Sequence, residues 1–338
     1  MSAAATPVDF ETYGTIYHPR NVKERVKRPG PANSTLEEVY PFNQRISPTG
    51  PFPPEAGRYH LFVSYACPIA HRSLIVRALK GLEDVIGVSV VDPYRDGRGW
   101  AFRDVPGATL DTSGEGFRFL AEAYDVSAPD GDYRGHISVP VLWDRQSHRI
   151  VANYYPTISL DIGSQFNEFA TRNAGLDLYP VDLQPELDEL LQQVATGLNG
   201  GVYAAGFTYD QAQHAAAARG VWDTLAELEK RLSDGRRYLF GDRLTEADIR
   251  TWVTLVRFDT VYHGHFKLTW RRLSDYPRLW AYTRRLYAIP AFGETTKLDH
   301  IIHHYYGTQR QVNPSGVVPA LPDIDWTPER DDLAPVVS

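Results

Sequence analysis

The sequence predicts an α/β domain followed by an all-helical domain, and three observations carry that prediction. A β-α-β pattern opens at Tyr59, with Cys67-Pro68 at its first strand-to-helix junction. A β-β-α pattern follows from Ser138, and from about residue 183 every apolar pattern has helical spacing.

Each element has a local reason. Residues 59–65 (YHLFVSY) are a short apolar run of strand type. Residues 68–82 then space Ile69, Leu74, Ile75, Ala78, Leu79 and Leu82 near the i, i+3, i+4 rule, with Gly81 where a helix should stop. Residues 85–91 are a second β-rich run. Residues 93–135 are rich in Gly and Asp and read as an inserted excursion, a kind of segment that is usually functional or disordered. Strands over 138–143 (SVPVLW) and 149–153 and a helix over 156–169 complete the order β-α-β…β-β-α, the thioredoxin topology. The domain reading is therefore an extended arm over 1–57, rich in Pro and charge as in RVKRPGPANST, and a thioredoxin-like domain over 58–172. An all-helical domain over 183–320 and a tail over 321–338 follow. In LTEADI, Thr245 is the N-cap, Asp248 sits at N3, and Leu244 with Ile249 forms a hydrophobic staple, which marks a helix start whatever the protein does.

Composition narrows the function. At 338 residues the chain suits two compact domains and needs no disulfide or metal to fold. A formal charge of −7 argues against a general nucleic-acid binder, whose phosphate contacts need a basic face. No stretch approaches the ~20 apolar residues that span a bilayer, so no membrane partner is expected. The opening MSAAATPVDFETYG lacks the basic and apolar regions of a secretory signal, and a cytoplasmic location is the expectation. The single cysteine cannot form an internal disulfide, so redox chemistry must borrow its second sulfur from another molecule.

Cys67 is the candidate catalytic residue. Free cysteines are commonly buried and inert, but this one follows a strand and precedes Pro68, a residue suited to the first helical position. The unpaired amides and dipole of a helix start favour a negative sulfur there, as in nucleophilic thiolates. CPIA lacks the second cysteine of a CxxC, which makes the site monothiol. Val139-Pro140 enters a strand, where proline is usually an edge residue; the functional reading is a cis proline whose neighbour Val139 pairs with an extended thiol peptide. His263, His265, His300, His303 and His304 do not form a set typical of zinc sites, and no metal is expected.

The stretches YHLFVSYACPIAHRSLIVRALKGLE, SVPVLWD, NGGVYAAGF, FGDRLTEADIRTWVTLVRFDTVYHGHFK, LSDYPRLWAYTRRLY and DHIIHHYYGTQRQVNPSGVVP resemble the glutathionyl-hydroquinone reductases, also called Xi-class glutathione transferases, from about residue 35 to 320. The HHYYG…NPSGVVP segment is particular to that class. The resemblance implies a thioredoxin-like domain followed by an all-α glutathione-transferase domain, assembled as a homodimer. It also implies reductive removal of a thiol from a glutathionylated hydroquinone. By the same resemblance a small-molecule thiol is the expected co-substrate, an aromatic conjugate the expected substrate, and no tightly bound cofactor is expected. Tyrosines matching the family's hydroquinone pocket are Tyr203, Tyr262 and Tyr305 or Tyr306, each of which also reads as a packed helix residue.

Two departures fall in the thiol-binding half. The family usually has Trp after Cys-Pro, where this chain has Ile69. After the last strand the family reads Asn-Glu-Ser-Ser, with Glu and Ser holding the γ-glutamyl group, whereas this chain reads Asn153-Tyr154-Tyr155-Pro156. Tyrosine hydroxyls do not replace a carboxylate that pairs with an ammonium, and Pro156 removes a donor. Glutathione therefore fits less well than a thiol with a different head. Mycothiol, which carries a sugar-inositol head, is the candidate, with Ile69, Val139, Pro140, Tyr154 and Tyr155 as thiol-binding residues. Two other readings use the same sequence: an omega-like deglutathionylating thiol transferase, separated by its preference for mixed disulfides, and a non-catalytic ligand-binding protein of glutathione-transferase fold, separated by an inert Cys67.

Overall fold

The computed structural model describes residues 3–15 and 35–328. Its contacts group into two units, Met1–Gly175 with Asp299–Val318, and Leu176–Leu298 with Pro319–Ser338.

The first unit carries two short arm helices, α1 (Phe10–Tyr13) and α2 (Leu36–Val39). There follow β1 (Tyr59–Val63), α3 (Pro68–Leu79), β2 (Gly87–Val90), α4 (Leu120–Ser127), β3 (Val141–Asp144), β4 (Arg149–Ala152) and α5 (Tyr155–Gln165). The sheet order is β2-β1-β3-β4, with β1 parallel to β2 and antiparallel to β3, and β3 antiparallel to β4. This is the expected α/β thioredoxin-like arrangement. Every residue of β1 is buried, which explains why its sequence is nearly continuous in apolar side chains rather than alternating. Phe62 pairs with Val141 and Leu142 with Ala152, so the C-terminal ends of β1 and β4 and the N-terminal end of β3 lie at one end of the sheet. The candidate residues Cys67, Val139, Pro140, Tyr154 and Tyr155 lie next to those strand ends.

Helix α3 stops three residues earlier than its apolar spacing implies. Gly81 adopts φ +65°, the Gly81 amide bonds the Ala78 carbonyl and the Leu82 amide bonds the Arg77 carbonyl at 2.9 Å. That is a left-handed helix end suited to glycine, and Leu82 is buried just beyond it rather than within the helix.

The excursion over 93–135 differs from its reading as an irregular insertion. It contains α4, the second helix of the thioredoxin order, and contributes Trp100, Ala101, Phe102, Phe117, Leu120, Ala123 and Tyr124 to the core. A buried ion pair joins Arg103 Nη1 to Asp92 Oδ2 at 2.9 Å. Gly and Asp are frequent because the segment turns often, yet these seven apolar residues are buried.

Arm residues line the edge of the sheet. The Gln44 amide donates to the Val151 carbonyl (3.1 Å) and the Asn153 amide to the Phe42 carbonyl (2.8 Å), which covers the otherwise open edge of β4. Arg45 Nε bonds Asp161 Oδ1 of α5 at 2.8 Å, and the Ile46 amide bonds Asp161 Oδ2 at 3.0 Å. Ala5 donates to the Phe102 carbonyl at 3.0 Å. Residues 25–34 of RVKRPGPANST and residues 329–338 of the tail lie outside the described residues.

Inside the sheet layer, His60 is fully buried; its Nδ1 lies 2.9 Å from Arg145 Nη2 and its Nε2 2.7 Å from Ser89 Oγ. Since a guanidinium only donates, Nδ1 accepts and Nε2 carries the proton. Burial, and then the Arg145 and Arg77 charges, push this imidazole down to about 3. The folded state resists protonation while the unfolded chain takes it up below about pH 6.5. The associated stability is present above that pH and lost as pH falls toward 3, at about 1.4 kcal/mol per pH unit. Urea titrations at pH 6.5 and pH 5 are expected to differ by about 2 kcal/mol from this residue alone; equal midpoints would refute it.

The second unit is helical: α6 (Gln184–Gln193), α7 (Gly200–Phe207), α8 (Gln211–Arg231), α9 (Glu246–Arg257), α10 (Pro277–Tyr287) and α11 (Pro290–Gly293). Two π-helical turns, Val194–Asn199 before α7 and Phe258–Tyr262 after α9, interrupt the regular spacing. The capping box at α9 forms as read, with the Thr245 amide donating to Asp248 Oδ2 at 2.8 Å, and Leu244 and Ile249 are both buried. The helix α12 (Leu298–Thr308) departs from the reading of 183–320 as one helical domain: from Asp299 onward it groups with the first unit. His304 Nδ1 bonds the Pro93 carbonyl and His300 Nε2 the Pro106 carbonyl, each at 2.8 Å, and the Arg95 amide bonds Thr308 Oγ1 at 3.2 Å. Among the described residues, no helix is long and apolar enough to cross a membrane.

Candidate active site

The turn SYACP places the cysteine. Ser64 ends the extended run, its Oγ accepting from the Ala66 amide (3.2 Å) and its carbonyl from the Cys67 amide (3.1 Å). Cys67 then caps α3 with extended backbone angles, Pro68 supplies the first helical residue, and the Cys67 carbonyl accepts the His71 amide at 3.0 Å. Cys67 is half-buried. Its Sγ donates to the Val139 carbonyl at 3.5 Å, and the Val139-Pro140 bond is cis. The two signatures read from sequence thus meet at one end of the sheet. Ile69 stands in the first turn of α3, partly exposed.

Tyr154 and Tyr155 occupy the start of α5, at the same end of the sheet. Neither stands open to solvent on all sides. Tyr154 donates its hydroxyl to Glu37 Oε1 at 2.9 Å, and the Tyr155 ring meets Tyr40 edge-on at 5.1 Å. Tyr40 also meets His136 edge-on at 5.6 Å. Burial, then the Arg95 charge, pushes His136 down to about 4, so it is neutral at pH 7. Asn153 is buried and structural: its Oδ1 accepts the Phe42 amide at 3.1 Å and its Nδ2 reaches the Tyr124 hydroxyl at 3.3 Å.

Sequence reasoning missed Glu37, Tyr40 and His136. The one local signal there is the capping-box pattern TLEEV, which the sequence reading did not use: the Thr35 amide donates to Glu38 Oε2 at 2.8 Å, which consumes Glu38 and leaves its neighbour Glu37 pointing elsewhere. Tyr65, two residues before Cys67, meets His300 edge-on at 5.5 Å. Trp100 is flanked by the Arg95 guanidinium at 4.1 Å and the His304 ring at 5.0 Å. His300 and His304 are thus occupied by carbonyls and rings, and the described residues contain no group of three or more His, Cys, Asp or Glu able to hold a metal.

The tyrosines fall into two kinds. In the second unit, Tyr203 on α7 is partly exposed and its ring packs on Tyr262 (6.0 Å), Phe207 (5.8 Å) and Phe266 (5.6 Å). Tyr262 itself is fully buried and stacks on Phe266 at 5.5 Å. Tyr203 lies on the helix that follows the first π-helical turn, and Tyr262 closes the second. In the first unit, Tyr305 is buried and Tyr306 partly exposed on α12.

Residues 211–285 match the family model described as the glutathione S-transferase C-terminal domain. The chain is 45% identical over 286 residues to the glutathionyl-hydroquinone reductase YqjG of Escherichia coli, covering 84% of this chain and 85% of that protein. The glutathione-bound structure of YqjG superposes with a TM-score of 0.81 at 42% identity, covering 86% of this chain and 96% of that one. The glutathionyl-hydroquinone reductase PcpF of Sphingobium chlorophenolicum is 44% identical, covering 79% and 84%. The Xi glutathione transferase structure from Phanerochaete chrysosporium aligns with a TM-score of 0.81 at 44% identity, covering 85% and 92%.

Proposed function

This chain belongs to the glutathionyl-hydroquinone reductases, the Xi-class glutathione transferases, and we propose that it removes the thiol from thiol-conjugated hydroquinones through a mixed disulfide on Cys67. The observation that carries this reading is the half-buried Cys67 sulfur, at the start of α3 and against the Val139 carbonyl.

The Cys67 thiolate attacks the sulfur of the aryl thioether. The S–S bond forms as the aryl C–S bond breaks, and the ring carbon leaves with the electron pair and takes a proton to become the free hydroquinone. A second thiol, as thiolate, attacks the mixed disulfide, leaves as the symmetrical disulfide and restores Cys67. Sulfur is oxidised and the ring carbon reduced, and with only one cysteine in the chain the second sulfur comes from solution. In the helical unit we assign contact with the aromatic half of the substrate to Tyr203, which keeps exposed surface, with Tyr262 packed against it; on α12, Tyr305 and the partly exposed Tyr306 are the tyrosines that match the family's pocket. A hydroxyl at the rim supplies the proton to the leaving carbon. The reading includes a homodimer in the cytoplasm, where small thiols are kept reduced, and the two-domain division set out above.

For the thiol, Val139 and Pro140 take the cysteinyl backbone, Ile69 flanks it, and Tyr154 and Tyr155 face the head group. Mycothiol fits this set better than glutathione, because aromatic side chains at the α5 start suit sugar rings and Pro156 withholds a backbone donor. With the same hydroquinone conjugate, mycothiol is expected to support turnover at least about 10-fold faster than glutathione, the effect of one lost charged contact. Faster turnover by glutathione removes mycothiol from the proposal, and preference for mixed disulfides over aryl thioethers replaces the hydroquinone reaction by general thiol transfer.

A further inference from the structure

The departure at the end of β4 removes a carboxylate from the thiol site in sequence, but the fold brings another to the same place. Tyr154 is the cap of α5, and its hydroxyl holds Glu37 Oε1 at 2.9 Å across 117 positions of sequence. Glu37 is exposed, and among the described residues no Lys or Arg pairs with it. Its neighbour Glu38 is spent on the helix cap, so Glu37 is the one α2 carboxylate directed at α5. Three residues on, and so on the same face of α2, Tyr40 packs its ring between Tyr155 and His136. His136 leads by three residues into Val139, whose carbonyl touches Cys67 Sγ. The arm is therefore fastened at two points to the sheet end that carries the cysteine, and Glu37 is set by that fastening.

We propose that Glu37 is a specificity residue of the thiol site, accepting hydrogen bonds from the donor-rich head of the thiol co-substrate, with Tyr154 as its positioning residue. The shared chemistry of that head is a group of N–H or O–H donors: the hydroxyls of a sugar or cyclitol, or the ammonium of a γ-glutamyl group. A carboxylate accepts several such donors at once, and charge-assisted bonds of this kind are the stronger class. The carboxyl of Glu37 is held below its ordinary range, by a hydrogen bond from its own backbone amide and then by the Tyr154 hydroxyl, which keeps it an acceptor at neutral pH. The inference rests on the thiol-dependent reading of Cys67 but not on the aromatic substrate.

The test isolates the thiol step. Because Cys67 is the sole cysteine, treating the full-length protein with 5,5′-dithiobis(2-nitrobenzoate) gives one defined mixed disulfide, and its reduction by glutathione or by mycothiol is followed by release of the coloured thiolate. Glu37→Gln is expected to raise the half-saturating concentration of the preferred thiol about 10-fold with the limiting rate within twofold. Tyr154→Phe, which keeps the ring and removes the hydroxyl, is expected to raise it about threefold, and Glu37→Asp to fall between wild type and Glu37→Gln. A shift confined to mycothiol assigns a polyol head, and a shift confined to glutathione an ammonium. Half-saturation unchanged for both thiols in Glu37→Gln, or no saturation by either in the wild type, overturns the inference. Failure of the wild type on hydroquinone conjugates alone would instead fall on the proposed substrate and leave this result standing.

Discussion

Cys67→Ser is expected to lower thiol-dependent reduction of a hydroquinone conjugate by on the order of 10³-fold or more while leaving the fold intact. A serine hydroxyl at that position is almost wholly un-ionised at neutral pH and forms no disulfide, so both half-reactions lose their covalent intermediate. The side chain is half-buried and bonds the Val139 carbonyl at 3.5 Å, a contact that a hydroxyl also makes. Thermal unfolding should therefore move by no more than a degree or two, because a substitution away from core packing costs within about 0.5 kcal/mol. Mass spectrometry supplies the second readout: incubating the wild type with conjugate should add one thiol mass to the peptide containing Cys67, and the serine variant should add none. Retained turnover in Cys67→Ser would dismiss the mixed-disulfide route whatever the family does.

The features that sequence alone made legible are local ones. Cys67-Pro68 works because a capping cysteine and a proline at the first helical position act within one turn, and Thr245 with Asp248 is equally short-range. The strands were legible because β1 is buried on both faces and has a nearly continuous apolar run. The missing pieces depend on distant partners. Helix α4 has eight residues between Gly- and Asp-rich turns, too short to signal itself by periodicity, and it is held by burial of Leu120, Ala123 and Tyr124. The grouping of α12 with the first unit depends on His300 and His304 bonding carbonyls 194 and 211 positions earlier. Tyr154 shows how much such contacts alter a reading. Alone, it is a hydroxyl where a carboxylate is wanted; with Glu37 against it, the pair presents both groups. No inspection of NYYP supplies the second member.

The other large effect is on stability, at Asp248. This carboxylate has no exposed surface and accepts four hydrogen bonds: from the amides of Leu239 (2.8 Å) and Thr245 (2.8 Å), from Thr245 Oγ1 (3.0 Å) and from the Tyr282 hydroxyl (2.9 Å). Burial pushes its pKa up, against the pull of those donors, and the neighbouring Tyr282 hydroxyl, itself buried, is pushed well above its ordinary value. Asp248 thus joins the loop before α9, the start of α9 and the middle of α10. Asp248→Ala leaves two amides and two hydroxyls in the interior without their acceptor, and each buried orphan costs about 1–3 kcal/mol. Even with one of them finding water, the variant should lose about 4 kcal/mol or more, a large share of the stability of an ordinary domain. Asp248→Asn keeps one acceptor oxygen but turns an amide N–H₂ toward a donor, so it should fall only slightly short of alanine. Tyr282→Phe removes one donor and leaves the carboxylate three, and should cost about 1 kcal/mol. Urea unfolding followed by tryptophan fluorescence reads these differences, since Trp252 lies buried on α9 with its Nε1 on the Thr283 carbonyl at 3.2 Å. An Asp248→Ala variant within 1 kcal/mol of wild type would mean that the four bonds are replaced by water, and that the helical unit owes its stability to apolar packing around Trp252 rather than to this buried hub.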